Sequence, residues 1–247
     1  MAASSSSRPL RRTSHVTFRL APLGDSAITV EFGNKIDPHI NACVIAFAAT
    51  VTQQAWTGIR DIVPTYRSVT IYFDALHWTV SALADRLKRL PRVPLRGNSP
   101  VGTLHTIPVL YGDEWGPDLK DLADFAGLSP AETIAMHTSV PYRIYMLGFS
   151  PGFPYLGLVP EQLAMPRLST PRTKVPAGSV GIADRQTGIY PSSTPGGWRL
   201  IGRTPIPLYR KNSAQPFLLK PGDLVQFEPI HRDEFDRLTS EHAHAND

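Results

Sequence analysis

Residues 142–205 constrain this chain more than any other stretch of it. They begin YRIYMLGFSPGFPYLGL, run through PRLSTPRTKVPAGSVGIADRQTGIYP and close with STPGGWRLIGRTP. Glycine and proline recur every few residues. Glycine opens backbone conformations closed to other residues, and proline fixes φ and removes a donor. Interleaved with aromatic residues, they do not suit helices. They suit short strands joined by tightly specified turns, with loops shaped to present side chains. Arg167, Arg172, Lys174, Arg185, Arg199 and Arg203 lie among those turns.

The rest of the chain divides around a second Pro/Gly-rich segment. PRVPLRGNSPVG, residues 91–102, reads as a linker. Residues 1–17 are rich in Ser and Arg and lack acidic residues, which reads as a disordered leader; without an apolar h-region they are not a secretory signal. Residues 18–90 read as a two-layer α/β sandwich. Strand-like runs 18–23 and 27–33 flank a turn at Gly24-Asp25. A helix opens at Asp37-Pro38, with Pro at the first helical position. Ile40, Val44, Phe47 and Val51 then recur at helical spacing to about Ala55, and Gly58 ends the run. Strands follow at 59–63 and 69–73. A second helix starts at Thr79 or Ser81, with Leu83, Leu87 and Leu90 on one face.

Residues 103–240 read as mostly β. The strand 105–112 is followed by two short helices, opened by Gly116-Pro117 and Ser129-Pro130. Ser129 with Glu132 three residues on is a capping box. Strands follow at 142–147, within the Gly/Pro-rich stretch, and at 224–230 after the turn at Lys220-Pro221-Gly222-Asp223. Pattern alone gives a β-rich barrel or sandwich.

Charge and cysteine content narrow the function. The formal net charge is +4, but Arg8, Arg11 and Arg12 lie in the leader. Without them 22 basic residues face 21 acidic ones, and no basic face for nucleic acid is demanded. Cys43 is the single cysteine and sits among Ala42, Val44, Ile45 and Phe47, so it reads as a small core residue in a reducing cytoplasm. No apolar run approaches the ~20 residues of a membrane span. The chain carries no GxxxxGK[ST] loop, no dinucleotide fingerprint, no HExxH and no GxSxG elbow. If it takes part in catalysis, it shares the site with a partner.

Several residues nonetheless carry usable chemistry. Arg167, Arg172 and Lys174 flank two prolines, and a stiff segment favours a preorganised site for a carboxylate or carbonyl ligand. The plainer alternative is a solvated basic surface. His137 follows a short helix and can move protons near neutral pH; a structural helix-end histidine is the alternative. Phe149, Phe153 and Tyr155 surround the PGFPYLG loop, as a pocket wall, a subunit interface or core beneath the loop. Tyr190 and Trp198 add polar tips to apolar bodies. Backbone N–H groups around Gly196-Gly197 form either an anion cradle or a tight turn.

GFSPGFPYLGL, PRLSTPRTKVPAGSVGIA, TGIYP and PGGWRLIGRTP resemble the signature blocks of the KipI-like family. LAPLGDSAITVEFG and PGDLVQFEPI extend the resemblance over most of residues 18–231. That family holds the B subunit of bacterial 5-oxoprolinase, proteins called allophanate hydrolase subunit 1, and a sporulation-kinase inhibitor. The resemblance implies an α+β fold: a two-layer α/β domain followed by a cyclophilin-like β-barrel. It implies a subunit of an ATP-dependent amidohydrolase, inactive alone, that opens 5-oxo-L-proline to L-glutamate as ATP is cleaved to ADP and phosphate. The implied partners are a KipA-like C subunit, larger than this chain, together with a LamB/YcsF-type A subunit. ATP is used in the assembled complex, and neither metal nor biotin is implied on this chain. His137, Arg172 and Lys174 are then the catalytic candidates. Arg167, Phe153, Tyr155, Tyr190, Trp198 and Arg203 are the substrate-binding candidates. Allophanate hydrolysis and inhibition of a histidine kinase by protein binding are the other activities the family implies.

Overall fold

A computed structural model describes residues 17–91 and 102–244. The leader and the linker lie outside the described residues except at their ends. The chain forms two compact units, Met1–Ser99 and Pro100–Asp247.

The first unit contains β1 (Arg19–Pro22), β2 (Ala27–Glu31), α1 (Pro38–Gln53), β3 (Ile59–Pro64), β4 (Ser68–Phe73) and α2 (Val80–Lys88). Its strands form one antiparallel sheet in the order β1-β2-β4-β3. Side chains alternate across that sheet. Ile28, Val30, Val69, Ile71 and Phe73 turn to one face and are buried with Val44, Phe47, Val51, Leu83 and Leu87 of the helices. On the other face the Thr29 and Thr70 hydroxyls meet at 3.1 Å. Burying each large aliphatic side chain contributes about 1.5–3 kcal/mol, so this core holds the two layers together.

Local signals set the helix ends. The Asp37 carboxylate accepts from His39 N–H at 2.7 Å and Ile40 N–H at 3.1 Å, which satisfies two orphan donors of α1. Thr79 caps α2 by accepting from Ala82 N–H. The first helix stops at Gln53, short of Gly58, where Ala55 takes a left-handed φ of 48°.

The second unit contains β5 (Leu104–Tyr111), α3 (Leu119–Ala126), α4 (Pro130–Thr138), β6 (Tyr142–Leu147), β7 (Pro154–Gly157), β8 (Arg172–Val175), β9 (Ser179–Ala183), β10 (Gln186–Ile189), β11 (Thr194–Gly196), β12 (Arg199–Arg203), β13 (Leu224–Pro229) and α5 (Arg232–His244). Seven strands close into a barrel in the order β10-β7-β6-β13-β5-β12-β9, and β9 pairs back onto β10. The barrel that the resemblance implies is therefore present. Strands β8 and β11 form a separate two-stranded ribbon. Strand β13 lies parallel to β5, with Leu224 opposite Leu104 and Pro229 opposite Val109. The last strand of the unit thus closes against its first, and closure leaves no exposed sheet edge in the barrel.

Inward residues of those strands fill the barrel: Ile107, Val109, Ile144, Leu156, Val180, Ile182, Ile201, Val225 and Phe227 are all buried. Helix α4 begins with the full capping box, Ser129 accepting from Glu132 N–H while the Glu132 carboxylate accepts from Ser129 N–H. Helix α5 is not apparent from the apolar pattern, because Phe235 is its only buried residue among those described. The Phe235 ring meets the edge of Trp115, and Arg232 lies 4.5 Å over that indole. Among the described residues no helix is long and apolar enough to cross a membrane.

Candidate functional site

Four of the singled-out aromatic residues converge. Phe153 stands just before β7, Tyr155 within it, Tyr190 just after β10 and Trp198 just before β12. The Phe153 ring is central, with centroids 5.0 Å from Tyr155, 5.1 Å from Tyr190 and 5.4 Å from Trp198, all edge-to-face. Each such pair adds about 0.5–1.5 kcal/mol beyond its area burial, so the cluster is rigid. Glycines make room for it. A Cβ on Gly188 would come within 3.0 Å of both Phe153 and Trp198, and one on Gly196 would collide with the Tyr190 hydroxyl.

Phe153 and Tyr190 are buried, and Tyr155 and Trp198 are half-buried. Phe149 covers the cluster from outside. Its ring lies 5.5 Å from Phe153, yet the residue is 63% exposed and holds a φ of 67°. A left-handed φ is uncommon for a bulky residue. The short loop supports it, with Gly148 N–H donating to Phe153 C=O and Phe153 N–H to Ser150 C=O.

Arg172 is the one singled-out cation that joins the cluster. It opens β8, and its Nη2 donates to both Asp118 oxygens at 2.7 and 2.9 Å, while Nη1 donates to the Trp198 carbonyl at 3.3 Å. The backbone N–H of Trp198 in turn donates to the Tyr190 hydroxyl. Burial is the main influence on Tyr190 and raises its pKa; the Trp198 N–H and the Arg172 charge oppose that rise. The phenols of Tyr155 and Tyr190 are therefore neutral hydrogen-bonding groups at physiological pH.

The other basic candidates do not gather here. Arg167 and Lys174 are exposed. Arg203 donates from Nε to the Ala177 carbonyl at 2.7 Å, and partial burial lowers its pKa. Arg199 donates to the Pro166 carbonyl at 3.2 Å. The Gly196-Gly197 segment runs along the ribbon: Thr194 and Gly196 pair with β8, and Gly197 C=O accepts from Leu168 N–H.

His137 is placed inside the barrel with no exposed surface. It occupies the last turn of α4 and stacks on Phe227 at 4.7 Å and on Tyr142 at 5.4 Å. Its ring nitrogens lie 2.9 Å from the Tyr111 hydroxyl and 3.1 Å from Thr187 Oγ1. The tautomer follows from the Thr187 hydroxyl, whose single proton goes to the Gly181 carbonyl at 3.0 Å. Nε2 of His137 must therefore donate to Thr187, and Nδ1 accepts from Tyr111. Burial depresses the His137 pKa to about 3. A buried, neutral imidazole with both nitrogens engaged holds α4 to the barrel. The geometry supports the structural alternative for this residue.

Two of the residues that matter carry no local sequence signal. Asp118 reads as part of a helix start, yet it sits at the N-cap of α3 without capping it. Its carboxylate goes instead to Arg172, 54 residues away, and to Leu200 N–H at 2.6 Å, 82 residues away. Thr187 likewise finds His137 across 50 residues. Among the described residues no group of three or more His, Cys, Asp or Glu side chains is arranged to hold a metal ion.

The family model of the carboxyltransferase domain, subdomain C and D, matches residues 18–219. The 5-oxoprolinase B subunit of Bacillus subtilis is 41% identical over 230 residues, covering 89% of this chain and 96% of that protein. The same subunit of Haemophilus influenzae is 42% identical, covering 84% of this chain and 96% of that protein. The urea amidolyase of Saccharomyces cerevisiae is 27% identical over 92% of this chain, which spans 14% of that protein. Among solved structures, TTHA0988 superposes with a TM-score of 0.76 at 35% identity, covering 84% of this chain. The chain spans 40% of the length of TTHA0988.

Proposed function

This chain belongs to the carboxyltransferase subdomain C and D family, in its KipI-like branch with the 5-oxoprolinase B subunits, and on that premise we propose that it is the B subunit of an ATP-dependent 5-oxoprolinase. The complex opens 5-oxo-L-proline with water to give L-glutamate, with ATP cleaved to ADP and phosphate. The observation that carries this reading is the identity of 41% spread over nearly the whole of a 5-oxoprolinase B subunit. The 27% identity to a urea amidolyase, in which the matched part is 14% of the protein, supports urea-derived amides less.

The aromatic cluster suits the substrate's shape. 5-Oxoproline is a small flat ring with one carboxylate. The half-buried Tyr155 and Trp198, backed by the buried Phe153, offer apolar edges and faces for the ring, and Phe149 shields it from water. Arg172 is the donor for the carboxylate. Its Nη2 is engaged by Asp118 and one N–H of Nη1 by the Trp198 carbonyl, which leaves the Nε N–H and the second Nη1 N–H for the ligand. Lys174, exposed on the same ribbon, attracts anions to this face.

The donor set fits one carboxylate. It does not fit a triphosphate, which needs several free cations and a metal, whereas here the one clustered guanidinium is already half committed to Asp118. We assign nucleotide chemistry to a partner, a KipA-like C subunit, with support from a LamB/YcsF-type A subunit, and place the assembly in the cytoplasm. The test is glutamate formation and ATP cleavage by this chain alone, by the partners alone and by the mixture. Glutamate from the mixture only is expected. No turnover by a properly assembled mixture would remove 5-oxoproline as the substrate.

A further inference from the structure

Asp118 is a buried carboxylate in a place where a capping residue would stand. An N-cap Asp satisfies the first N–H groups of its helix and stabilises it. Asp118 makes no such bond. Its backbone pairs with Leu200 instead, N–H to C=O at 2.9 Å, and its Oδ2 accepts from Leu200 N–H at 2.6 Å. This anchors the carboxylate on the barrel strand β12. From there both oxygens reach Nη2 of Arg172.

The pair is nearly enclosed, the Arg172 and Asp118 side chains being 28% and 7% exposed. A buried ion pair is a poor way to gain stability, because desolvation offsets most of the attraction. It does fix direction. Arg172 stands on the β8–β11 ribbon, outside the barrel's own hydrogen-bonded ladder. With Nη2 held by Asp118, Nη1 donates to Trp198 C=O, and the Arg172 charge counters the rise that burial gives the Tyr190 pKa.

We infer that Asp118 is a positioning residue: it holds Arg172 so that the guanidinium N–H groups not taken by Asp118 or the Trp198 carbonyl receive the substrate's carboxylate. This rests on the carboxylate-binding reading above. An isosteric change that removes the charge, Asp118→Asn, frees the guanidinium to rotate and weakens carboxylate binding while leaving the ring's contacts alone.

Calorimetric titration tests this, with the chain assembled with its partner subunits. The two ligands are 5-oxo-L-proline and 2-pyrrolidinone, the same lactam without the carboxylate. Asp118→Asn should weaken 5-oxoproline about tenfold, the worth of one charge-assisted hydrogen bond, and change 2-pyrrolidinone less than about twofold. Asp118→Glu should recover part of the loss, and Asp118→Asn should add nothing in an Arg172→Ala background. Equal losses on both ligands, or losses that multiply in the double variant, mean that Asp118 only supports the fold and overturn the inference. Circular dichroism melting checks each chain. If Asp118→Asn does not fold, Asp118→Glu carries the comparison, and an unchanged ratio of the two affinities overturns it. If the native assembly binds neither ligand, the 5-oxoproline reading fails first. Acetate is then titrated while the indole N–H signal of Trp198 is followed by NMR. A shift in the native chain that Asp118→Asn abolishes keeps the inference; no shift in the native chain ends it.

Discussion

Tyr111 donates its hydroxyl proton to Nδ1 of His137 at 2.9 Å, inside the barrel and away from water. The direction of that bond is fixed by Thr187, which spends its own proton on Gly181 and so forces Nε2–H on the imidazole. A second proton on His137 would set two donors against each other with no solvent to intervene.

Acid should therefore destabilise this unit. The unfolded imidazole titrates near 6.5, whereas the folded one titrates at about 3. Between those values the unfolded state binds the extra proton and the folded state does not. The stability is present above pH 6.5 and is lost as pH falls toward 3, at about 1.4 kcal/mol per pH unit. Urea unfolding of native and His137→Gln chains at about pH 7, 5.5 and 4.5, values that bracket this titration, measures it. The native curve should be the steeper by that amount. Parallel curves would show that His137 is not the group that titrates.

The same placement bears on catalysis. His137→Asn should lower the unfolding free energy by about 2–4 kcal/mol, as expected for a buried, doubly bonded group. Turnover per folded complex should stay within about threefold. A loss of about a hundredfold or more in a chain with native circular dichroism would instead make His137 a proton carrier.

Phe149 and Phe153 touch, but they differ in what they support. Phe153→Ala removes the centre of the aromatic cluster and should cost about 3–5 kcal/mol. Phe149→Ala removes a ring that is 63% exposed and should change stability by less than about 0.5 kcal/mol. It should raise KM for 5-oxoproline several-fold with kcat little changed. Thermal melting and initial rates together separate the two. An unchanged KM would leave Phe149 no part in covering the ligand.

The first unit supplies a control distant from the aromatic cluster in sequence. Asp37→Ala deletes two cap bonds of α1 and should cost about 0.5–2 kcal/mol. Activity of the assembled complex at low temperature should be unaltered. A fall in kcat at full occupancy of the folded state would tie this unit to the chemistry.

Much of the fold was readable locally. Asp37-Pro38 and the box Ser129…Glu132 marked helix starts that the structure keeps, because a cap is made by residues two or three apart. The strand-like runs 27–33 and 69–73 fall on strands in the structure for a similarly local reason, since side-chain direction repeats every second residue. Helix α5 escaped because one buried Phe235 leaves no apolar stripe to detect. The parallel contact of β13 with β5 escaped too, since nothing in either strand names a partner more than a hundred residues away.

The site divides in the same way. The residues of the Gly/Pro-rich stretch were enough to read short strands and tight turns carrying Phe153, Tyr155, Tyr190 and Trp198, and its blocks were enough to place the family. Tertiary structure decided which candidates meet. It brought Arg172 into the cluster by way of Asp118, left Arg167 and Lys174 in solvent, turned Arg203 to a carbonyl and sealed His137 in the barrel. The reason is physical. A turn or a cap is set by dihedral preferences within a few residues. Whether a charge is free, paired or buried depends on barrel closure, which joins strands whose positions no short segment encodes.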